Sequence, residues 1–167
     1  MSVEVVEGNI LNCNEDIIVH QTNCAGGVGG LAASLLPINS PEYNEYKSYC
    51  SQFEDDPSVL LGTVQYIRSG NKLIANCFGQ LMPGARFSDY LSDIKGVYKP
   101  GDIKGYDDLR NALAIVARDA EQKHLSVAIP YGIGCGIAGG NWNYVSKMIE
   151  NIFEPINVKC VIYQYKK

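Results

Sequence analysis

Apolar and polar positions along the chain follow two periods, and each stretch of one period predicts an element. Ser2 to Val6 alternates and predicts a short strand ending at Glu7-Gly8-Asn9-Ile10. Ile17, Ile18 and Val19 form an apolar run that predicts a buried strand over 17–20. Asn39-Ser40-Pro41-Glu42 reads as a helix start, with Ser40 as N-cap and Pro41 at the first helical position. Tyr43, Tyr46, Cys50 and Phe53 then recur at helical spacing as a core stripe. Two strands, from Leu60-Leu61-Gly62 to Ile67 and from Lys72 to Phe78, are joined at Ser69-Gly70-Asn71, a hairpin signal. Asp107 and Asp108 open a helix whose Leu109, Ala112, Leu113, Val116 and Ala120 share one face, with His124 at its solvated end. Ser126 to Pro130 is a buried strand, and Asn141 caps a helix turning Trp142, Val145, Met148, Ile149, Ile152 and Phe153 inward. Val158 to Tyr163 is the last strand. Strands alternating with helices predict a single α/β domain over 1–167, with helices covering a mixed sheet.

Three stretches break the periodicity. The first follows the strand that ends at Val19: His20-Gln-Thr-Asn23-Cys24-Ala-Gly26-Gly27-Val28-Gly29-Gly30, leading into an Ala/Leu-rich helix to Leu36. Glycines at this density let a backbone adopt positive φ and approach a ligand closely. A helix start after such a loop offers N–H groups to anionic or oxygen-rich ligands. The second runs from Gly79 to Gly105, a long loop of Pro, Gly and scattered aromatics. Its Phe87, Tyr90 and Tyr98 serve either to cover a bound base or sugar or to pack as a surface flap. The third is Tyr131-Gly132-Ile133-Gly134-Cys135-Gly136-Ile137-Ala-Gly-Gly140, between a strand and a helix.

Charge narrows the function. The net charge is −4 and the basic residues are scattered, so the stripe a nucleic-acid site needs is missing. A small anion remains compatible, because loop N–H groups hold phosphate without lysines. No apolar run reaches membrane-spanning length and no secretory h-region is visible, so a cytoplasmic, membrane-free protein, monomeric and with a small-molecule ligand, is the expectation. The six cysteines form no C-x-x-C pair and read as reduced thiols, and their spacings disfavour zinc. Cys24 and Cys135 stand apart because each lies in a glycine loop, yet neither has a base at fixed spacing. No cofactor is implied.

Gly134, Gly136 and Gly139 satisfy G-x-G-x-x-G, but the dinucleotide-binding reading fails. The chain downstream is too short for the rest of that sheet, and no acidic residue ends the following strand at Tyr163. No Gly-Lys-Ser/Thr follows, which excludes a Walker loop. Two glycine-rich strand-to-helix loops remain, each at the carboxyl end of a strand, where open α/β sheets bind ligands. Facing rows of N–H groups suit a diphosphate flanked by sugars.

These residues resemble a macrodomain, the ADP-ribose-binding module, over nearly the whole chain. Gly8-Asn9-Ile10-Leu11, His20 to Leu31, Leu73 to Gln80 and Ile129 to Trp142 carry the resemblance. The His20-x-x-Asn23-Cys24 segment and the Gly136-Ile137-x-Gly139-x-x-Trp142 ending are most similar to the ADP-ribose-1″-phosphate phosphatase branch. The resemblance implies a three-layer α/β/α sandwich around a central mixed sheet. It implies that Asn9 accepts from the adenine amino group, where the family usually has Asp, and that Ile10 offers its N–H to the ring. Asn23 and Gly26, Gly27, Val28, Gly29 and Gly30 would hold the distal ribose. Tyr131, Gly132 and Ile133 would line the site, with Gly134, Cys135, Gly136 and Ile137 at the diphosphate. His20 and Asn23 would be the catalytic pair, His20 as general acid/base or charge partner of the 1″ phosphate.

The sequence departs from the family at acids. One class of protein-deacylating macrodomains carries Asp where Gly29 stands, and another carries an Asp where Ala138 stands. Hydrolysis of ADP-ribose-1″-phosphate is the expected activity. A non-catalytic ADP-ribose reader, or a protein sequestering an NAD-derived signal, needs the same loops and no acid. A hydrolase acting on modified macromolecules ranks below both.

Overall fold

The computed structural model describes residues 3–81, 106–135 and 140–166. Within them, six strands form one sheet: β1 (Val3–Glu7), β2 (Ile17–Asn23), β3 (Val64–Ser69), β4 (Lys72–Gln80), β5 (Val127–Pro130) and β6 (Cys160–Gln164). Their order is β1-β6-β5-β2-β4-β3. Every neighbouring pair is parallel except β3 and β4, whose antiparallel register brings Ser69 opposite Lys72. The sheet is mixed because only the Ser69-Gly70-Asn71 turn is short enough to reverse the chain.

Helices cover both faces. The first layer holds α1 (Leu31–Leu35) and α2 (Pro41–Ser51); the second holds α3 (Asp107–Lys123) and α4 (Trp142–Phe153). Alternation along β2 serves both layers at once. Ile17 and Val19 join the core under α3 and α4, while Ile18 joins Leu35, Leu36, Tyr46 and Cys50 on the other face. This is the three-layer α/β/α sandwich. The helix starts are chemical: the Ser40 hydroxyl accepts from Tyr43 N at 3.0 Å, and Asn141 Oδ1 accepts from Tyr144 N at 3.2 Å. Leu109, Ala112, Leu113, Val116 and Ala120 are all buried, whereas Trp142 and Ile152 are only partly so. No helix among the described residues is long and apolar enough to cross a membrane.

Two expectations change. The strand expected from Leu60 starts at Val64, because Pro57 opens a 3-10 turn over Pro57–Leu60 and Gly62 turns the chain at φ +82°. Leu60 is buried in the α2-side core all the same. The helix after the first glycine loop is only five residues long, ended by Pro37, so its dipole is a weak anion lure. The aromatics of the long loop, Phe87, Tyr90 and Tyr98, lie outside the described residues.

Candidate functional site

The carboxyl ends of β2 and β5 deliver both described loops to the same edge of the sheet. Between them lies a cleft of about 450 Å³ lined by residues 20–23, 27–32 and 130–134, with Gln80 from the neighbouring strand. A second hollow of about 540 Å³ is lined by Asn9, Ile10, Leu11, Ser34, Tyr163, Gln164 and Tyr165. Leu31, Pro130 and Tyr131 line both, so the two form one elongated groove. Tyr131 stands at the junction, 42% exposed, its ring 4.5 Å from that of Trp142.

The first loop is shaped from within. Asn23 Oδ1 accepts from Ala25 N at 3.0 Å and Gly27 N at 3.1 Å, and its Nδ2 donates to Gly27 O at 2.9 Å. The buried Tyr46 hydroxyl donates toward Asn23 O (2.7 Å), Asn23 Oδ1 (3.1 Å) and Gly27 O (3.3 Å). Burial pushes the Tyr46 phenol far above its ordinary range, so it remains a donor. Asn23 therefore scaffolds the loop and keeps a single N–H for a ligand. Gly26, at φ +82°, does not line the groove; its Cα faces the α2 backbone at Lys47. Gly27, Val28, Gly29 and Gly30 do line it, and a Cβ on Gly29 would meet nothing within 4 Å.

The second loop needs glycine at two positions. Gly132 (φ +82°) faces open space, whereas a Cβ on Gly134 (φ +72°) would meet Gln21 Oε1 and Leu109 Cδ2 at 3.1 Å. Ile133 is buried in the α3-side core, Cys135 is half-buried, and Gly136 and Ile137 lie outside the described residues. Gln21, unremarked in the sequence, joins the two halves: its side chain packs against both Gly79 and Gly134 and lines the cleft. The period of β2 places residue 21 on the α3 face, beside two glycines that leave room for it.

His20 differs most from its sequence reading. It lines the cleft yet is 2% exposed, with Nε2 2.5 Å from Asn76 Oδ1 and no partner for Nδ1 among the described residues. Burial depresses its pKa from 6.5 to about 4, against a smaller upward pull from Asn76. The imidazole is thus neutral at physiological pH, with one ring nitrogen able to accept. Thr22 Oγ1, two residues on, is also buried without a partner among the described residues. Asn9 accepts from Leu11 N at 3.0 Å, capping the 3-10 turn Ile10–Asn12, and Ile10 is buried in the core beside it. Burial raises Cys24 to about 12 and Cys135 to about 11, so neither is an activated nucleophile. No group of three His, Cys, Asp or Glu among the described residues could hold a metal ion.

A six-stranded mixed sheet with this order, flanked by two helical layers and carrying a groove between two glycine loops, has the fold of the macrodomains. The macrodomain of Mycobacterium tuberculosis DarG superposes with a TM-score of 0.75 over 96% of both chains, at 21% identity. Thermosipho africanus DarTG in complex with ADP-ribose gives 0.74 over 98% of this chain and 41% of that one, at 15% identity. No protein-family model matches the chain. Among curated proteins it is similar to the ADP-ribose 1″-phosphate phosphatase of Debaryomyces hansenii, 38% identical over 96 residues. Those residues are 56% of this chain and 53% of the relative, so the match spans about half of each.

Proposed function

We propose that this chain binds ADP-ribose or a derivative of it and hydrolyses ADP-ribose-1″-phosphate to ADP-ribose and phosphate. The observation that carries the binding is the elongated groove: a compartment at Asn9 and Ile10 sized for the adenosine, and one at Asn23–Gly30 for the distal ribose. Tyr131 lies where the two meet, and the N–H groups of Gly132 and Gly134 in the adjoining cleft lining suit a diphosphate. The name of the Debaryomyces hansenii relative supports the hydrolysis.

A neutral imidazole is the form a general base must have. In this reading the imidazole of His20, a residue of the cleft lining, takes a proton from the water whose oxygen attacks phosphorus. The phosphorus–oxygen bond to the 1″ oxygen breaks, phosphate leaves, and the 1″ oxygen is protonated from solvent. Loop N–H groups offset the charge developing on the phosphoryl oxygens.

One observation favours a second reading, a non-catalytic ADP-ribose reader: no carboxylate lines either hollow among the described residues. Calorimetry and turnover separate the two. ADP-ribose should bind at micromolar concentration, about −8 kcal/mol, with AMP weaker because it leaves the distal compartment empty. Phosphate release from ADP-ribose-1″-phosphate supports the enzyme; binding without release supports the reader. Equal affinity for AMP and ADP-ribose overturns the assignment of the Asn23–Gly30 compartment.

A further inference from the structure

Asn76 is a fully buried amide in the middle of β4, between apolar neighbours on a strand paired on both sides. A buried amide there costs stability unless every bond is made. It lies opposite His20 on one side and Gln65 of β3 on the other, so the three side chains share one sheet face. Their hydrogen bonds form a line: Gln65 Nε2 to Glu45 O at 3.4 Å, Asn76 Nδ2 to Gln65 Oε1 at 3.1 Å, and His20 Nε2 with Asn76 Oδ1 at 2.5 Å.

The line has one consistent direction. Glu45 offers a backbone carbonyl, which only accepts, so Gln65 must turn its NH₂ toward α2 and its oxygen toward Asn76. Asn76 must then donate to Gln65, which leaves its own oxygen facing His20. Only the tautomer with hydrogen on Nε2 satisfies that oxygen, and Nδ1 is left with a bare lone pair.

We propose that Asn76 is a positioning residue: the Glu45–Gln65–Asn76 relay locks His20 in its Nε2–H tautomer and so leaves Nδ1, buried and without a partner among the described residues, as the acceptor of this cleft-lining ring. This rests on the reading of the groove as an ADP-ribose site. It adds that a carbonyl of helix α2 decides which ring nitrogen keeps a lone pair. A base with the wrong tautomer keeps its shape and loses its chemistry.

Nitrogen NMR of the ¹⁵N-histidine-labelled full chain reads the tautomer directly. Wild-type His20 should carry its proton on Nε2 and none on Nδ1 at neutral pH. Asn76→Leu, of similar size, should give a mixture of tautomers. Turnover of ADP-ribose-1″-phosphate should then fall by roughly tenfold or more, with ADP-ribose affinity changed less than about threefold. Gln65→Leu, farther from the cleft, should free the Asn76 amide to flip and give a milder form of the same change, and covers the case in which Asn76→Leu does not fold. Asn76→Asp, which keeps an acceptor at Nε2, should restore a single tautomer. A wild-type ring protonated on Nδ1 overturns the proposal, as does an unchanged tautomer in the folded relay variants. If wild type releases no phosphate, the phosphatase reading fails while the spectrum still decides the relay.

Discussion

His20 Nε2 lies 2.5 Å from Asn76 Oδ1, across the parallel pairing of β2 and β4 that sets the two residues side by side. That contact occupies one ring nitrogen, and burial keeps the ring neutral: its pKa falls from 6.5 to about 4. Unfolded chains therefore take up a proton at this site before folded ones do as pH falls. The stability tied to the neutral ring is complete above about pH 6.5 and is lost as pH falls through about 4, on the order of 3 kcal/mol. Urea titrations of wild type and His20→Gln across this range measure it. The wild type should lose more stability on acidification than the variant; parallel losses would mean that His20 titrates normally.

Gly29 and Gly134 separate obstruction from strain. Gly29 lines the groove and a Cβ on it meets nothing within 4 Å, so Gly29→Val should abolish ADP-ribose binding with little change in Tm. Gly134→Val forces a branched residue to φ +72° against Gln21 and Leu109, so it should lower Tm as well. Its binding loss therefore says less about the ligand. Normal calorimetric affinity in Gly29→Val would place the ligand elsewhere.

The loop scaffold makes a graded prediction. Tyr46→Phe removes a buried hydroxyl that three acceptors of the first loop share, and should cost about 1–2 kcal/mol in chemical denaturation. Asn23→Ala removes the acceptor for Ala25 and Gly27 as well, and should weaken ADP-ribose binding more than Tyr46→Phe does. The reverse order would show that the Asn23 bonds to Ala25 and Gly27 do not hold the loop in its binding shape.

The loop thiols should be inert. With Cys24 raised to about 12 and Cys135 to about 11, less than roughly a thousandth of either is thiolate at pH 7.5. Iodoacetamide should leave both unmodified in native protein under conditions that consume free cysteine, as read by mass spectrometry. Rapid labelling of either would return a nucleophilic cysteine to consideration.

Much of this architecture was legible in the order of residues because local chemistry decides it. Ser40 and Asn141 cap helices through their own side chains, Ser69-Gly70-Asn71 can only reverse the chain, and the face of Leu109, Ala112, Leu113, Val116 and Ala120 has one period. The two glycine loops declared themselves because few other sequences place strands before such runs. Tertiary structure decided what those residues could do. The apolar run before His20 says that its strand is buried, but nothing near it in sequence names the partner of its ring, because Asn76 lies 56 positions away on β4. Asn23 reads in sequence as a ligand contact alone; the Tyr46 hydroxyl, 23 positions on, shows that it is a loop scaffold as well. Gly26 and Gly29 look alike in sequence, yet one backs onto helix α2 and the other onto open space. Hydrogen-bond direction and burial are properties of neighbours in space, so the chain could specify the site's ingredients locally while only the closed sheet set their charge, tautomer and access.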